Sequence, residues 1–332
     1  MGQRLTTGGS GARTRSSMLA ILCIFGCVVV LAGQSEQKGL SDVQAVVADV
    51  KQGRLTIPDA RDRLSLYPRE NVWRELVALI RSRQQVEIAY DLLARLDGAR
   101  YSDGLDLLIE GLAEENAGVR AVSALGLSSI GNSQRHRVTV TLERTLTLEK
   151  DHSVRLGVLR ALATIGEPLA GPGHAVIVDI FREAGDLNER SAAAEAMIQL
   201  IGIRASVEVF ERATAKGRRI GAVALTVGVG ESDSTLSLDD TQAVRRFVLA
   251  SISDETIEVR RVVYALVPLV LRPSSQPEAV VDAKAFNRQL RDSLERQARA
   301  ETDDDLRRAA RQYAALIDDD GNVSRPGKPG TP

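Results

Sequence analysis

Two stretches of the chain set apolar and polar residues in nearly the same rhythm. "ENAGVRAVSALGLSSIG" runs from Glu115 to Gly131, and "DHSVRLGVLRALATIG" from Asp151 to Gly166. In the second, Val154, Val158, Ala161, Leu162 and Ile165 fall at offsets 0, 4, 7, 8 and 11, one face of an α-helix. The same periodicity runs through most of the chain from Leu40 onward. Leu40, Val43, Val46, Val47 and Val50 share a face, as do Val72, Leu76, Val77 and Ile80. A short helix with Pro58 in its first turn lies between them. Val86, Ala89, Tyr90, Leu93 and Leu96 predict a further helix, with Gly98 as its C-cap. "RVTVTL", Arg137 to Leu142, is the one stretch that alternates like a strand. It falls where a repeating pattern needs a helix, and a helix is the expectation despite its β-branched residues.

The repeat itself is carried by fixed steps. Arg120, Arg155 and Arg190 stand 35 residues apart, and Gly126-Leu127, Ala161-Leu162 and Ala196-Met197 keep the same interval. A fourth copy is marked by Ala224-Leu225 and a fifth by Ala265-Leu266. The sixth, "DDDLRRAARQYAALI", ends near Ile317 after a Pro-rich loop from Pro268 to Pro277. A 35-residue period holds two helices of about 12–14 residues with their turns, and neither helix can bury its apolar stripe alone. Stacked neighbours supply the missing surface, so the expected fold is an all-α solenoid of helical hairpins. The expected organisation is a leader over 1–33, helical hairpins over 34–100, the repeat array over 101–317, and a disordered polar tail over 318–332.

Asp151, Val154-Arg155, Ala161-Leu162 and Ile165-Gly166 together resemble the second helix of a HEAT repeat, in particular the short form of bacterial phycobilisome-lyase-like HEAT proteins. The copy ending at Gly131 has Asn116 in place of the Asp, and the copy at Arg190 has Glu189 in place of the Val. The resemblance spans roughly Tyr101 to Ile317 and implies a HEAT-like α-solenoid. It also implies a structural role for Arg120, Arg155 and Arg190: a ladder in which each Arg bonds the turn of the preceding hairpin. An anion-binding ladder is the functional alternative. Such a fold hosts many partners and fixes none.

The first 33 residues change the picture. Arg4, Arg13 and Arg15 are their only charges, and "MLAILCIFGCVVVLAG" follows from Met18 to Gly33. A basic flank, an apolar core and a small-residue exit describe a secretory signal, cleaved after Ala32 or Gly33, or a retained membrane anchor over residues 18–33. Either places the repeats outside the cytoplasm. Both cysteines, Cys23 and Cys27, lie in this segment, and Ile24-Phe25-Gly26-Cys27 loosely follows a lipobox. A cleaved chain would hold no cysteine and no disulfide. Of the 332 residues, 44% are apolar but only 3% aromatic, so Ala, Leu, Val and Ile must build the core. The formal charge is −1, and removing the leader takes away three Arg and no acid. No basic excess marks a nucleic-acid binder.

Candidate chemistry is sparse. His136, His152 and His174 are followed by Arg137, Ser153 and Ala175, so neither a zinc motif nor the His-Glu pairs of metal-dependent HEAT-repeat hydroxylases are present. Asp151-His152-Ser153 has the residue types of a triad, but adjacent residues in one turn do not face each other productively. "GVGES", Gly228 to Ser232, lacks the Lys of a phosphate loop, and "GEPLAGPGHA", Gly166 to Ala175, is a connector. The acidic runs Asp303–Asp305 and Asp318–Asp320 lack the spacing of a calcium loop. No catalytic, metal or cofactor residue is expected. The expectation is a scaffold for an unidentified protein partner, contacted through Ser129, Arg160, Thr164, Glu195 and Gln199 on the second helices. The rival is a lyase-like enzyme or chaperone with a site in an inter-helix groove.

Overall fold

A computed structural model describes residues 42–97, 102–169, 171–230, 236–271 and 277–324. The leader and both cysteines lie outside the described residues. The chain divides into two compact units, Met1–Gly98 and Ala99–Pro332. Every regular element described is helical; one isolated bridge joins Ile317 to Val323.

The N-terminal unit holds α1 (42–51), α2 (Ile57–Leu64), α3 (Arg69–Arg81) and α4 (Val86–Arg95). Val43, Val46 and Val47 of α1, Leu76 of α3, and Tyr90, Leu92 and Leu93 of α4 are buried. Thr56 caps α2 by accepting the Asp59 amide at 3.3 Å, with Pro58 in the first turn. The Gln44 side chain donates to the Glu75 carboxylate at 2.8 Å, tying α1 to α3. After α4 Asp97 is left-handed, with φ of +58°; the expected cap, Gly98, lies outside the described residues. Asp is among the side chains that tolerate this conformation, and α4 ends at Arg95.

Among its described residues the second unit holds six helical hairpins. They pair α5 (Ser102–Gly111) with α6 (Ala117–Gly126), α7 (Arg135–Leu148) with α8 (His152–Ile165), and α9 (Gly173–Glu183) with α10 (Leu187–Leu200). The remainder pair α11 (Ile203–Glu211) with α12 (Ala215–Gly230), α13 (Leu238–Ser251) with α14 (Ile257–Val270), and α15 (Pro277–Ala300) with α16 (Asp304–Ala315). Successive second helices, α6 through α16, contact one another directly. "RVTVTL" is helical within α7: Val138 and Leu142 are buried, and Thr141 and Thr145 turn their hydroxyls back to carbonyls four residues earlier.

Four of the second helices, α6, α8, α10 and α16, begin at acidic or amide caps. Asp151 accepts the amides of Ser153 and Val154, Asn116 those of Gly118 and Val119, and Asp303 those of Asp305 and Leu306. Burial then follows the stripe read from sequence, with Val154, Val158, Ala161 and Leu162 fully buried. Close approach is enforced by Gly157: a Cβ there would stand 2.9 Å from the Ala121 carbonyl oxygen and 3.5 Å from the Ala124 methyl of α6. In the fifth hairpin the buried pair is Leu266-Val267 and Ala265 is exposed, one residue later than the expected Ala265-Leu266.

Two loop expectations are corrected. The proposed loop from Pro268 is helical as far as Val270, because buried Val263, Leu266, Val267 and Val270 carry α14 through Pro268, which sits exposed in the last turn. The tail expected to be disordered from residue 318 is folded as far as Ser324. Asp318 accepts the Asn322 amide at 2.7 Å, the Ser324 amide bonds Leu316 O at 2.8 Å, and Asn287 of α15 donates to Gly321 O at 2.9 Å. Gly321 has φ of +79°, and a Cβ there would fall 2.3 Å from Lys284 O, so glycine permits the turn to lie against α15. Residues 325–332 lie outside the described residues.

Gly157→Ala gains helix propensity yet meets backbone, so it should lower stability by about 1–3 kcal/mol. Gly131→Ala, with nothing within 4 Å of the new Cβ, should stay within about 0.5 kcal/mol. Urea unfolding of the two variants checks this; equal midpoints would show that α6 and α8 are not in close contact.

Candidate interaction surface on the second helices

The ladder arginines are all committed. Arg120 donates from Nε to Glu149 at 2.8 Å and from Nη2 to its other oxygen at 3.2 Å, and Nη1 reaches the carbonyls of Glu114 and Glu115. Arg155 donates to the Glu189 carboxylate and to Lys150 O. Arg218 and Arg260 repeat the arrangement, the former with Asp254 at 2.6 Å and Ala213 O, the latter with Glu301 at 2.7 and 2.8 Å and Asp254 O at 2.7 Å. The carbonyls belong to the turn of the arginine's own hairpin, and the acid belongs to the following hairpin. This reverses the direction expected from sequence, where the bond was to the preceding hairpin. A guanidinium has enough donors to cover the carbonyls left free at a helix end and still grip a carboxylate with two bonds.

The acid stands six residues before the next ladder arginine: Glu149 before Arg155, Asp254 before Arg260, Glu301 before Arg307. In the third hairpin that position is Ala184, and Glu189 takes over from the first turn of α10, where its carboxylate is 2% exposed. In the fourth it is Arg212, so Arg190 has no acid ahead of it. Its Nε turns to Phe181 O at 2.7 Å and its plane lies 5.9 Å from the Phe181 ring centroid. Sequence reading missed these acids, and it read Glu189 as a departure from the repeat rather than a replacement. The signal was available as an acid at constant distance from each arginine.

Glu301 is strongly perturbed. Burial opposes ionisation of Glu301, but hydrogen bonds from Arg260, the Asp303 amide and Gln297 outweigh it and hold the carboxyl at about 2. Hydrogen bonding to Arg120 likewise keeps Glu149 below the usual carboxylate range.

The residues expected to face outward share a register five and nine positions after the ladder arginines. Arg160, Thr164, Glu195 and Gln199 are exposed. The side chains of Arg160, Glu195 and Gln199 form no hydrogen bond or ion pair among the described residues, while the Thr164 hydroxyl donates to Arg160 O at 2.8 Å. Ser129 differs: it sits half-buried in a 3₁₀ turn after α6, with its hydroxyl donating to Gly126 O at 3.0 Å. Exposed Leu125, Val223 and Val227 occupy the same register on α6 and α12 at 41%, 46% and 44% exposure. Sequence reading placed them on the helices without naming them as surface.

The remaining candidates resolve into structure. Asp151 serves as the cap of α8, His152 is exposed, and His136 pairs at 3.0 Å with Glu167. The connector after Gly166 is pinned by buried Glu143, which accepts the amides of Gly171 and Gly173 at 2.9 and 2.8 Å. Among the described residues no group of three His, Cys, Asp or Glu is placed to hold a metal ion, and no helix is long and apolar enough to cross a membrane.

The second unit is thus a stacked two-helix repeat array with one free row of side chains on its second helices. No family model matches the chain. Over 119 residues it is 31% identical to a phycobilisome maturation protein of Synechococcus elongatus, covering 36% of this chain. That match spans 54% of the relative, about half its length. Similar solved structures include the archaeal HEAT-like repeats protein of Thermococcus onnurineus, at 14% identity and TM-score 0.47 over 75% of this chain and 97% of that one. An engineered protein matches at 18% identity and TM-score 0.44, over 77% and 69%. These likenesses are loose, and the repeat assignment rests on the hairpins and their ladder.

Arg155→Ala strands the buried Glu189 carboxylate and should cost about 3–5 kcal/mol, against under about 0.5 for Arg160→Ala at an unbonded surface site. Matching denaturation midpoints would refute the ladder role. Glu301 should make stability acid-sensitive. A depressed carboxyl stabilises the fold fully above its unfolded value near 4.5 and loses that contribution as pH falls towards about 2. The loss is about 3 kcal/mol, and Glu301→Gln should flatten the profile in that window; an unchanged acid limb would overturn the assignment.

Proposed function

We propose that this protein is an exported or membrane-tethered helical-repeat scaffold, which holds a protein partner along the free row of its second helices and makes or breaks no bond. The observation that carries the reading is the contrast between two arginine registers. Ladder arginines are tied to carbonyls and acids, whereas Arg160, five residues after Arg155, is exposed and unpaired in the same helix. Glu195 and Gln199 repeat that freedom on α10, and Leu125, Val223 and Val227 add apolar contact area. Apolar centres with polar and charged neighbours are the composition of protein interfaces. Export is supported by the basic flank, apolar core and small-residue exit of residues 1–33.

A second reading draws on the curated relative, whose name assigns it to phycobilisome maturation. On that reading the row would hold a subunit while a larger assembly matures, which is the chaperone form of the same binding.

Photo-crosslinking side chains placed at Arg160, Thr164 and Gln199 in the native host should trap one shared partner, identified by mass spectrometry. The same group at Arg144 of α7 or Asp179 of α9, both exposed on first helices, should not trap it. Equal capture from both sets would sink the scaffold surface. A reporter active only outside the cytoplasm, fused after Gln34, should be active and should fall silent with Leu22→Arg; equal activity in both would remove the export reading.

A further inference from the structure

Arg245 of α13 is the anomaly among the buried cations. Arg260 is 9% exposed and bonds a carboxylate twice and two carbonyls; Arg190 is 8% exposed and bonds two carbonyls. Arg245 is 4% exposed, yet its Nε and Nη1 have no hydrogen-bond partner. Its guanidinium rests 4.9 Å from the Phe286 ring centroid. The Asp282 carboxylate pairs with Arg245 only as an ion pair, 3.6 Å from Nη1 and beyond hydrogen-bonding range, and accepts a hydrogen bond from Gln242 at 3.3 Å. Burial pushes the guanidinium below its usual range, against the pull of Asp282. Leaving two buried guanidinium nitrogens without hydrogen bonds is costly, and the ion pair and ring contact offset that only in part.

Beside it a groove of about 610 Å³ opens between α13 and α15, lined by Gln242, Arg245, Arg246, Leu249, Asp282 and Phe286. We propose that this groove binds a carboxylate carried on an apolar stem, with Arg245 as the recognition residue. Nε and Nη1 lie on different edges of the guanidinium, so the ligand carboxylate takes the Nη1 edge, where Asp282 stands too far off to hydrogen-bond, and supplies the charge-assisted bond missing there. Leu249 and Phe286 receive the stem, and the half-exposed Asp282 moves aside to Gln242. A monoanion fits better than phosphate, because Asp282 stays nearby and repels a second negative charge. Small organic acids and the free carboxyl end of an apolar peptide share this chemistry. The site lies on first helices and is independent of the partner row.

Full-length protein with ¹⁵N-labelled arginine tests it, the Arg245 Nε–H signal being assigned by its loss in Arg245→Met. Hexanoate should shift that signal saturably and hexanol should not. Arg245→Met should weaken hexanoate binding at least tenfold in equilibrium dialysis. A peptide ending in Leu-Leu with a free carboxylate should bind at least tenfold tighter than hexanoate, and its amidated form not at all, if the natural source is a peptide. Hexanoate equalling the peptide identifies a small acid. Arg245→Met should also melt a few degrees above the parent, because it removes an unbonded buried charge, whereas Arg260→Met should melt below it. No saturable shift with either carboxylate, phosphate binding as tightly as hexanoate, or Arg245→Met melting as low as Arg260→Met would each overturn the proposal.

Discussion

The stack depends on one exchange: an arginine in the first turn of a second helix closes its own hairpin and grips an acid of the next. Hydrophobic burial alone does not specify which turn of α8 lies against which turn of α6, since apolar contact is non-directional. The Arg120–Glu149 and Arg260–Glu301 pairs supply direction. The same carboxylates also accept the amides that lead into the next helix, Lys150 and Asp151 for Glu149, Thr302 and Asp303 for Glu301. One group therefore sets both the stacking register and the start of the following helix. Breaking such a pair leaves a stranded charge, so its value lies in specificity more than in net stability.

The substitution at the third hairpin shows how tightly this constraint binds. With Ala184 in the turn, the acid reappears as Glu189 in a position that is apolar elsewhere, Val119, Val154 and Val259. A buried carboxylate in an apolar slot is tolerated because Arg155 reaches it. Around it α10 buries four alanines, Ala192, Ala193, Ala194 and Ala196, together with Met197, Ile198 and Leu200.

The hairpin architecture was legible because a 35-residue step and a helical stripe are one-dimensional signals. Even "RVTVTL" could be placed, since its position in the repeat outweighed its β-branched composition. The direction of the ladder was not legible, because an arginine offset by 35 residues has turns on both sides and only the fold decides between them. The end of the array was read too early. Asp318–Asp320 and Gly321 look like an unstructured tail, but a left-handed glycine and a buried Asn287 dock that turn on α15. Of the outward row, the polar members were found by their offsets. Leu125, Val223 and Val227 were hidden by the assumption that aliphatic side chains lie in the core. Arg245 had no sequence signature, as a missing bond cannot be read from a spacing.

The gap in the ladder at Arg212 has a mechanical meaning. In a one-dimensional stack, stability is a sum of hairpin terms and nearest-neighbour couplings. Hairpins on either side of the α10–α12 junction are coupled internally by guanidinium–carboxylate clasps. At the junction, packing takes their place, with the Phe181 and Phe210 rings 5.1 Å apart and Gly228 flush against Ile198. Packed surfaces slide more readily than clasped ones, so the array flexes there as two stiff segments. Leu125, Arg160 and Glu195 ride on one segment and Val223 and Val227 on the other, and the two parts of the row can adjust their spacing to whatever lies across them.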